Sequence, residues 1–129
     1  MVRGWVPPDY PPGRPLVPHG LAVVLNAPAA LRFTGPANPQ RHLEAARLLG
    51  EEVRGAGPQE AGELLAAALV RLMKRTGVPN GLAAVGYTEA DIPRLVEGTL
   101  PQKRVTALSP RPFTPEELAE VFRRSLHCW

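Results

Sequence analysis

The sequence is poor in the residues from which many catalytic and metal sites are built. It has a single cysteine, Cys128, so it can form neither an internal disulfide nor a zinc site made of several thiolates. Its three histidines, His19, His42 and His127, lack the i, i+4 spacing that places two metal ligands on one helix face. Such cysteine usage is typical of a protein in a reducing compartment, and we expect a cytoplasmic location.

Aromatic residues and glycine-rich loops are scarce as well. Aromatics make up 5% of the chain, and the arginines are dispersed, so neither a stacking platform nor a basic stripe for nucleic acid is present. No glycine-rich phosphate loop follows a strand, and no G-x-S-x-G motif occurs. We expect no nucleic-acid partner; the alternative of a small basic nucleic-acid binder rests on the net charge of +3 alone.

Long hydrophobic runs are also missing. The longest uncharged run, residues 15–31, is shorter than the roughly 20 residues that a membrane helix needs, and it contains Pro18, Asn26 and Pro28. The opening MVRGWVPPDYPPG lacks the apolar core and cleavage site of a secretory signal, and it is typical of a segment within a longer chain. We expect no membrane partner and no export signal.

The sequence does contain helix signals, which follow a proline-rich opening. Residues 1–17 are expected to form an extended arm or turns, and residues 18–129 a single helical domain of the metal-binding type implied by the resemblance below. The run HGLAVVLNAPAALR, from His19 to about Arg32, is apolar on nearly every face and predicts a central helix, bent or interrupted at Pro28. Two segments, AAVGY and KRVTAL, could pair briefly as strands.

Four further helices are predicted from capping residues and apolar spacing, giving an all-α bundle of about five helices. Their starts are marked by Asn38 with Pro39, by Pro58, by Thr88 with Asp91, and by Thr114 with Pro115 and Glu117. Gly50 and Gly77 mark two of the ends. The predicted core positions are Ala61, Leu64, Leu65, Ala68, Leu69, Leu72, Met73, Leu118, Val121 and Phe122. For the stripe within residues 61–73, a partner interface is the alternative.

Several residues that could belong to a site have ordinary structural explanations. His42 is expected to be a surface or half-buried residue in the first turn of a helix instead of a ligand. His127 and Cys128 are adjacent at a terminus, where their side chains should point apart. Glu51 and Glu52 are expected to be solvated charges that follow a helix.

His19 is less easily explained, because it lies between Pro18 and Gly20 at a helix entrance. The proline fixes the backbone, and the glycine allows a ligand or another chain segment to approach closely. A core histidine satisfied by backbone groups is the ordinary alternative. One imidazole does not make a metal site, since a catalytic divalent ion generally takes three or four protein ligands.

Three stretches, RPLVPHGLAVVL, RHLEAARLLG and NGLAAVGYTEADIPRLVEGTLPQKRVTALSPRPFT, together resemble the C-terminal helical domain of the iron-containing (group III) alcohol dehydrogenases, in particular the hydroxyacid-oxoacid transhydrogenase branch. The resemblance covers nearly all of the chain. It implies that His19 is the last ligand of a catalytic divalent metal, iron or zinc, in an enzyme that also uses NAD(P). Arg14 departs from the family pattern, since relatives often have a histidine there.

The resemblance also implies what lies outside this chain. The family's other metal ligands, an aspartate and two histidines, and its nucleotide-binding domain precede the matching region. We therefore expect no catalytic and no cofactor-binding residue here, no stable metal or NAD(P) binding by the chain alone, and activity only with a complementary nucleotide-binding chain. The alternative is a catalytically inactive all-α relic that acts as an oligomerisation or interaction module, with self-association as a dimer.

Overall fold

The computed structural model describes residues 5–9 and 14–129, and this part of the chain contains helices, turns and irregular segments but no strand. Its six helices are α1 (His19–Thr34), α2 (Pro39–Leu48), α3 (Ala61–Thr76), α4 (Ile92–Thr99), α5 (Lys103–Thr106) and α6 (Pro115–Ser125). The all-α prediction is confirmed, with one short helix more than expected. None of the described helices is long and apolar enough to cross a membrane.

The helix starts predicted at Thr88 and Thr114 are confirmed by their hydrogen bonds. The Glu117 N–H donates to Thr114 Oγ1 at 3.2 Å, and the Thr114 N–H donates to Glu117 Oε2 at 2.9 Å. Thr88 and Asp91 form a second capping box, which opens a short 3₁₀ turn ahead of α4. Asn38 also precedes its helix as predicted, although its side chain makes no capping hydrogen bond.

We expect Thr114→Ala to lower the free energy of unfolding by about 1 kcal/mol, because the substitution leaves the Glu117 N–H without its acceptor. Urea denaturation measures the change. Thr76→Ala is the matched control: the Thr76 hydroxyl only donates to carbonyls already within α3, so its loss should change stability by less than about 0.5 kcal/mol. Equal losses in both variants would contradict the capping role.

Helix α1 differs from the expectation at Pro28. It runs without interruption to Thr34, and Pro28 is buried inside it. Burial of the pyrrolidine ring offsets the backbone hydrogen bond that proline cannot make. The prediction of a central helix is confirmed, and only His19, Gly20 and Val23 of this helix are exposed, Val23 by 54%. Helix α1 is therefore covered over most of its surface by the rest of the described chain, and its exposed residues lie in its first two turns.

Three local predictions are corrected by the turns that the chain makes. KRVTAL contains the helix α5 and AAVGY contains a 3₁₀ turn, so neither is a strand. Helix α3 begins at Ala61 and not at Pro58, because a turn closed by the Gly57 N–H donating to Glu60 Oε2 at 2.8 Å precedes it.

The core lies where α1 is packed between α3 and α6, with α2 against α3 and α4 against α6. Its buried cluster comprises Leu25, Met73, Leu82, Val85, Ile92, Leu126 and Cys128. Since α1 contacts two helices on its buried side, its position is firmly set, and so is that of its first residue, His19.

The predicted N-terminal arm is described only in part. Residues 5–9 and 14–17 contain turns, bends and irregular backbone, and the Leu16 N–H donates to the Trp5 carbonyl at 3.0 Å. Residues 1–4 and 10–13 of that prediction lie outside the described residues.

Candidate functional site

His19 is the first residue of α1, and its side chain is exposed. Pro18 precedes the helix in an extended conformation, and its carbonyl accepts the first helical hydrogen bond, from the Ala22 N–H at 2.9 Å. Among the described residues, none forms a hydrogen bond or ion pair with the imidazole. The alternative of a core histidine satisfied by backbone groups is therefore wrong.

The space around His19 is open along one face of α1. Val23, Ala27 and Ala30 follow His19 at helical spacing, and all three are at least partly exposed. The opposite face carries Leu25, which is fully buried. We name His19, Val23, Ala27 and Ala30 the open strip. It joins one free imidazole to an apolar surface that the described part of the chain leaves uncovered.

The other two histidines do not join His19. No group of three or more His, Cys, Asp or Glu side chains that could hold a metal occurs within residues 5–9 and 14–129. His42 is buried, which corrects the expectation of a surface or half-buried residue. Its two ring nitrogens lie 2.8 Å from the Asn38 carbonyl and 2.9 Å from Thr34 Oγ1, so one is engaged at the start of α2 and the other joins α2 to α1.

His127 and Cys128 point apart, as expected, but Cys128 belongs to the core. The residue is 8% exposed, and its thiol donates to the Leu25 carbonyl at 3.3 Å. Asn80 holds this segment, since its Oδ1 accepts from the Cys128 N–H at 2.8 Å and from the Trp129 N–H at 3.1 Å. Burial raises the pKa of the Cys128 thiol, and the positive charge of Arg32 opposes this in part.

A pH dependence of stability follows from the raised pKa of Cys128. The unfolded chain loses the thiol proton first as pH rises, so this contribution is complete below about pH 8.5 and falls above it. We expect urea denaturation to show a loss of stability as pH rises above about 8.5, and this loss should be smaller in Cys128→Ala. The same slope in both proteins would mean that the thiol does not contribute.

Glu51 is not the solvated charge that was expected. Its side chain is 13% exposed and forms an ion pair with Arg71 of α3. The chain reverses after α2, where the Glu51 N–H donates to the Ala46 carbonyl at 3.0 Å, and this carries the carboxylate over α3. Glu52 does remain exposed, as predicted.

Several exposed or half-buried charges on the bundle are paired with one another. Arg32 of α1 donates from Nε to Glu63 Oε2 of α3 at 2.5 Å, and this bond lowers the pKa of the Glu63 carboxyl. Arg111 lies 4.0 Å above the Phe33 ring and donates to Glu117 at 2.5 Å. These groups tie α3 and the segment before α6 to α1, so their charges are neutralised within the fold.

The described residues therefore make an all-α unit with one free imidazole at a helix entrance and no complete metal cluster. Residues 12–126 match the Fe-containing alcohol dehydrogenase family, C-terminal part. The chain belongs to this family. It is 55% identical over 118 residues to the mitochondrial hydroxyacid-oxoacid transhydrogenase of Xenopus laevis, covering 92% of this chain and 26% of that protein.

Another relative and two solved structures point to the same family. The mitochondrial hydroxyacid-oxoacid transhydrogenase of Homo sapiens is 50% identical over 126 residues, which is 98% of this chain and 27% of the human protein. A 1,3-propanediol oxidoreductase crystal structure matches with a TM-score of 0.76 and 32% identity over 84% of this chain and 28% of that one. An alcohol dehydrogenase from Oenococcus oeni matches with a TM-score of 0.78 and 28% identity, with the same coverage.

Two expectations can be judged from these relatives. The resemblance to the helical domain of iron-containing alcohol dehydrogenases is confirmed, and the chain spans about a quarter of the length of the curated relatives it matches. The prediction of a cytoplasmic location is wrong, because the Xenopus and human relatives are named as mitochondrial proteins. The low cysteine content on which it rested does not distinguish between these compartments.

Proposed function

We propose that this chain is the helical part of an oxidoreductase of the hydroxyacid-oxoacid transhydrogenase kind, and that His19 binds its divalent metal. The observation that carries the proposal is the exposed, unpaired imidazole at the first residue of α1, in a chain of this family. His42 is unsuited to the same role because both of its ring nitrogens are engaged. His127 lies beyond α6 and not on α1, the helix that carries the open strip.

The described residues can supply only one of the several ligands that a metal ion needs. A catalytic divalent ion generally takes three or four protein ligands, and no described group of side chains supplies them. The remaining ligands must then come from outside the described residues. A bound iron or zinc ion would supply Lewis-acid polarisation of the substrate oxygen, and NAD(P) would supply hydride chemistry.

The residues of this chain position the imidazole and exclude water. Burial of Leu25 and Ala29 anchors α1, so the His19 backbone does not have to be ordered when the metal binds. The rest of the open strip, from Val23 to Ala30, is apolar and would pack against the nucleotide-binding part. Covering it removes water from the side of α1 on which His19 lies. We therefore propose that the chain alone is inactive.

A chimera tests this proposal. The chain replaces the matching quarter of the Xenopus laevis transhydrogenase, to which it is 55% identical. Oxidation of 2- and 4-hydroxy acids with an oxo acid as acceptor is then measured, together with NAD(P)-linked alcohol oxidation. We expect activity in the chimera and none in the chain or the remaining three quarters of the Xenopus protein alone. A folded chimera without activity, or an active isolated chain, would refute the proposal.

A second candidate function is the inactive all-α interaction module, and exposed apolar side chains favour it. Leu48 is 70% exposed and Leu108 is 80% exposed, in addition to Val23 on the open strip. Such surfaces favour self-association. Sedimentation of the isolated chain over a wide concentration range would show a dimer in this case, and a monomer throughout would exclude it.

A further inference from the structure

His42 lies where the end of α1 meets the start of α2, and Thr34 is its partner on α1. His42 is 8% exposed, and its Nε2 lies 2.9 Å from the Oγ1 atom of Thr34, the last residue of α1. Its Nδ1 lies 2.8 Å from the Asn38 carbonyl oxygen. Thr34 follows His19 by fifteen residues, which is about 22 Å along the helix axis, so this junction is remote from the proposed metal ligand.

A neutral imidazole cannot make all the hydrogen bonds that this arrangement offers. The Asn38 carbonyl can only accept, so His42 Nδ1 carries a proton and donates to it. The Thr34 hydroxyl has a single proton, and its Oγ1 also lies 3.0 Å from the Ala30 carbonyl oxygen, which again can only accept. Nε2 of a neutral ring then has no proton, so the hydroxyl can donate to Nε2 or to the Ala30 carbonyl but not to both.

Protonation of the ring removes this conflict. With a proton on each ring nitrogen, Nε2 donates to Thr34 Oγ1, and the hydroxyl proton is free to bond to the Ala30 carbonyl. The protonated junction therefore contains three hydrogen bonds where the neutral junction contains two, and the two bonds of the ring become charge-assisted. The two forms differ in the direction of the hydrogen bond that joins α1 to α2.

The charged groups on the elements around this junction are paired or lie at its periphery. Four ion pairs are present: Arg32 of α1 with Glu63 of α3, Arg111 with Glu117, Arg71 of α3 with Glu51, and Arg41 with Glu44 within α2. Glu60, ahead of α3, is exposed and accepts from the Gly57 N–H. On α2 and α3, the cations without a carboxylate partner in the described part of the chain are Arg47, Lys74 and Arg75. These three are exposed and lie in the last turns of their helices, whereas His42 lies in the first turn of α2.

We propose that His42 is a pH-sensitive switch that reverses the hydrogen bond between α1 and α2. In the neutral form, Nε2 accepts from the Thr34 hydroxyl. In the protonated form, Nε2 donates to Thr34 Oγ1, and the hydroxyl turns to the Ala30 carbonyl. The proton is exchanged with water, and only hydrogen bonds change. The switch needs neither the metal at His19 nor a nucleotide, so it stands apart from the function proposed above.

The test is a nuclear magnetic resonance titration of the 129-residue chain between about pH 4 and pH 9, a range that brackets ordinary imidazole titration. Ring nitrogen shifts report which nitrogen of His42 carries a proton. We expect the neutral ring to hold its proton on Nδ1 and to gain the second proton on Nε2. The Ala30 carbonyl carbon should shift with the same midpoint as His42. The Leu72 carbonyl carbon, which accepts from the Thr76 hydroxyl in the same way, should not follow it.

Three results of this titration would overturn the proposal. The first is a neutral His42 ring with its proton on Nε2, and the second is an Ala30 carbonyl that does not follow the ring. The third is a ring that keeps one protonation state throughout the range in which the chain is folded. The exposed His127 in the same sample provides the reference titration.

Variants add a second comparison. Thr34→Val keeps the shape of the side chain and leaves Nε2 of the protonated ring without an acceptor. We expect the proton affinity of His42 to fall about five- to tenfold, because a hydrogen bond to a charged group contributes more than one to a neutral group. Thr34→Ser keeps the hydroxyl and should retain the titration of the unaltered chain.

Thr76→Val is the matched control, since the Thr76 hydroxyl donates only to carbonyls within α3. This variant should leave the titration of His42 unchanged. An unchanged titration in Thr34→Val would overturn the proposal as well. If that variant does not fold, the site of the proton and the response of the Ala30 carbonyl in the unaltered chain still decide the question.

Discussion

Replacement of His19 by alanine is expected to abolish both metal binding and turnover in the chimeric enzyme. Changing a residue that merely supports a metal ligand typically lowers metal affinity or activity 10- to 100-fold, so loss of the ligand itself should exceed about 100-fold. The fold should be unaffected, because the side chain is exposed and forms no hydrogen bond or ion pair with a described residue. We expect a change of less than about 0.5 kcal/mol in unfolding free energy.

The matched control for this substitution is His127→Ala. His127 is also an exposed histidine, but it lies beyond α6 and not at the entrance of α1. Metal content per chain, measured by elemental analysis alongside the rate, should fall in His19→Ala and stay at the level of the unaltered chimera in His127→Ala. If His19→Ala retains its metal and its rate, the imidazole is not a ligand, even though the chain belongs to the family.

Helix ends and buried helix positions were predicted well where they depend on residues that are close in sequence. The Thr114 and Glu117 pair, three residues apart, closes its capping box without help from the rest of the fold. Gly77 ends α3 in a left-handed conformation with φ of 71°, which glycine adopts at little cost. The burial of Leu65 and Met73 follows from apolar spacing within one helix.

Predictions failed where distant parts of the chain decide the outcome. The sequence indicates a solvated Glu51, but the structure pairs it with Arg71. This pairing could not be predicted, because Arg71 is twenty residues away and on another helix. Cys128 was placed on a terminal tail, whereas Asn80 and the Leu25 carbonyl hold it in the core. The exposure of Val23 was missed because hydrophobicity indicates which residues can be buried, not whether this chain supplies the covering surface.

The candidate site likewise combines a residue that the sequence predicted with features that only the folded chain determines. Its one proposed metal ligand, His19, could be selected from the sequence because proline and glycine flank it and because the surrounding motif resembles a family. The engagement of both His42 ring nitrogens could not, since Thr34, which contacts one of them, lies on the preceding helix and meets it only in the folded chain.

The contact between α1 and α3 should be highly sensitive to a single added methyl group. Gly62 lies in the first turn of α3, and a Cβ at this position would be 2.8 Å from the Leu31 carbonyl oxygen and 3.0 Å from Arg32 Cα. Both are backbone atoms of α1, so relief requires one helix to move against the other. We expect Gly62→Ala to lower the free energy of unfolding by about 1–3 kcal/mol.

Gly98→Ala is the matched control for Gly62→Ala, because it adds the same methyl group and should change stability in the opposite direction. Gly98 lies within α4, and a Cβ there would meet no atom within 4 Å. Alanine favours the helix over glycine by about 0.5–1 kcal/mol, so this variant should be more stable than the unaltered chain. Urea denaturation of the two variants should therefore shift in opposite directions. A gain in stability for Gly62→Ala would mean that α1 and α3 do not approach through this glycine, and the placement of His19 on a firmly packed α1 would lose its support.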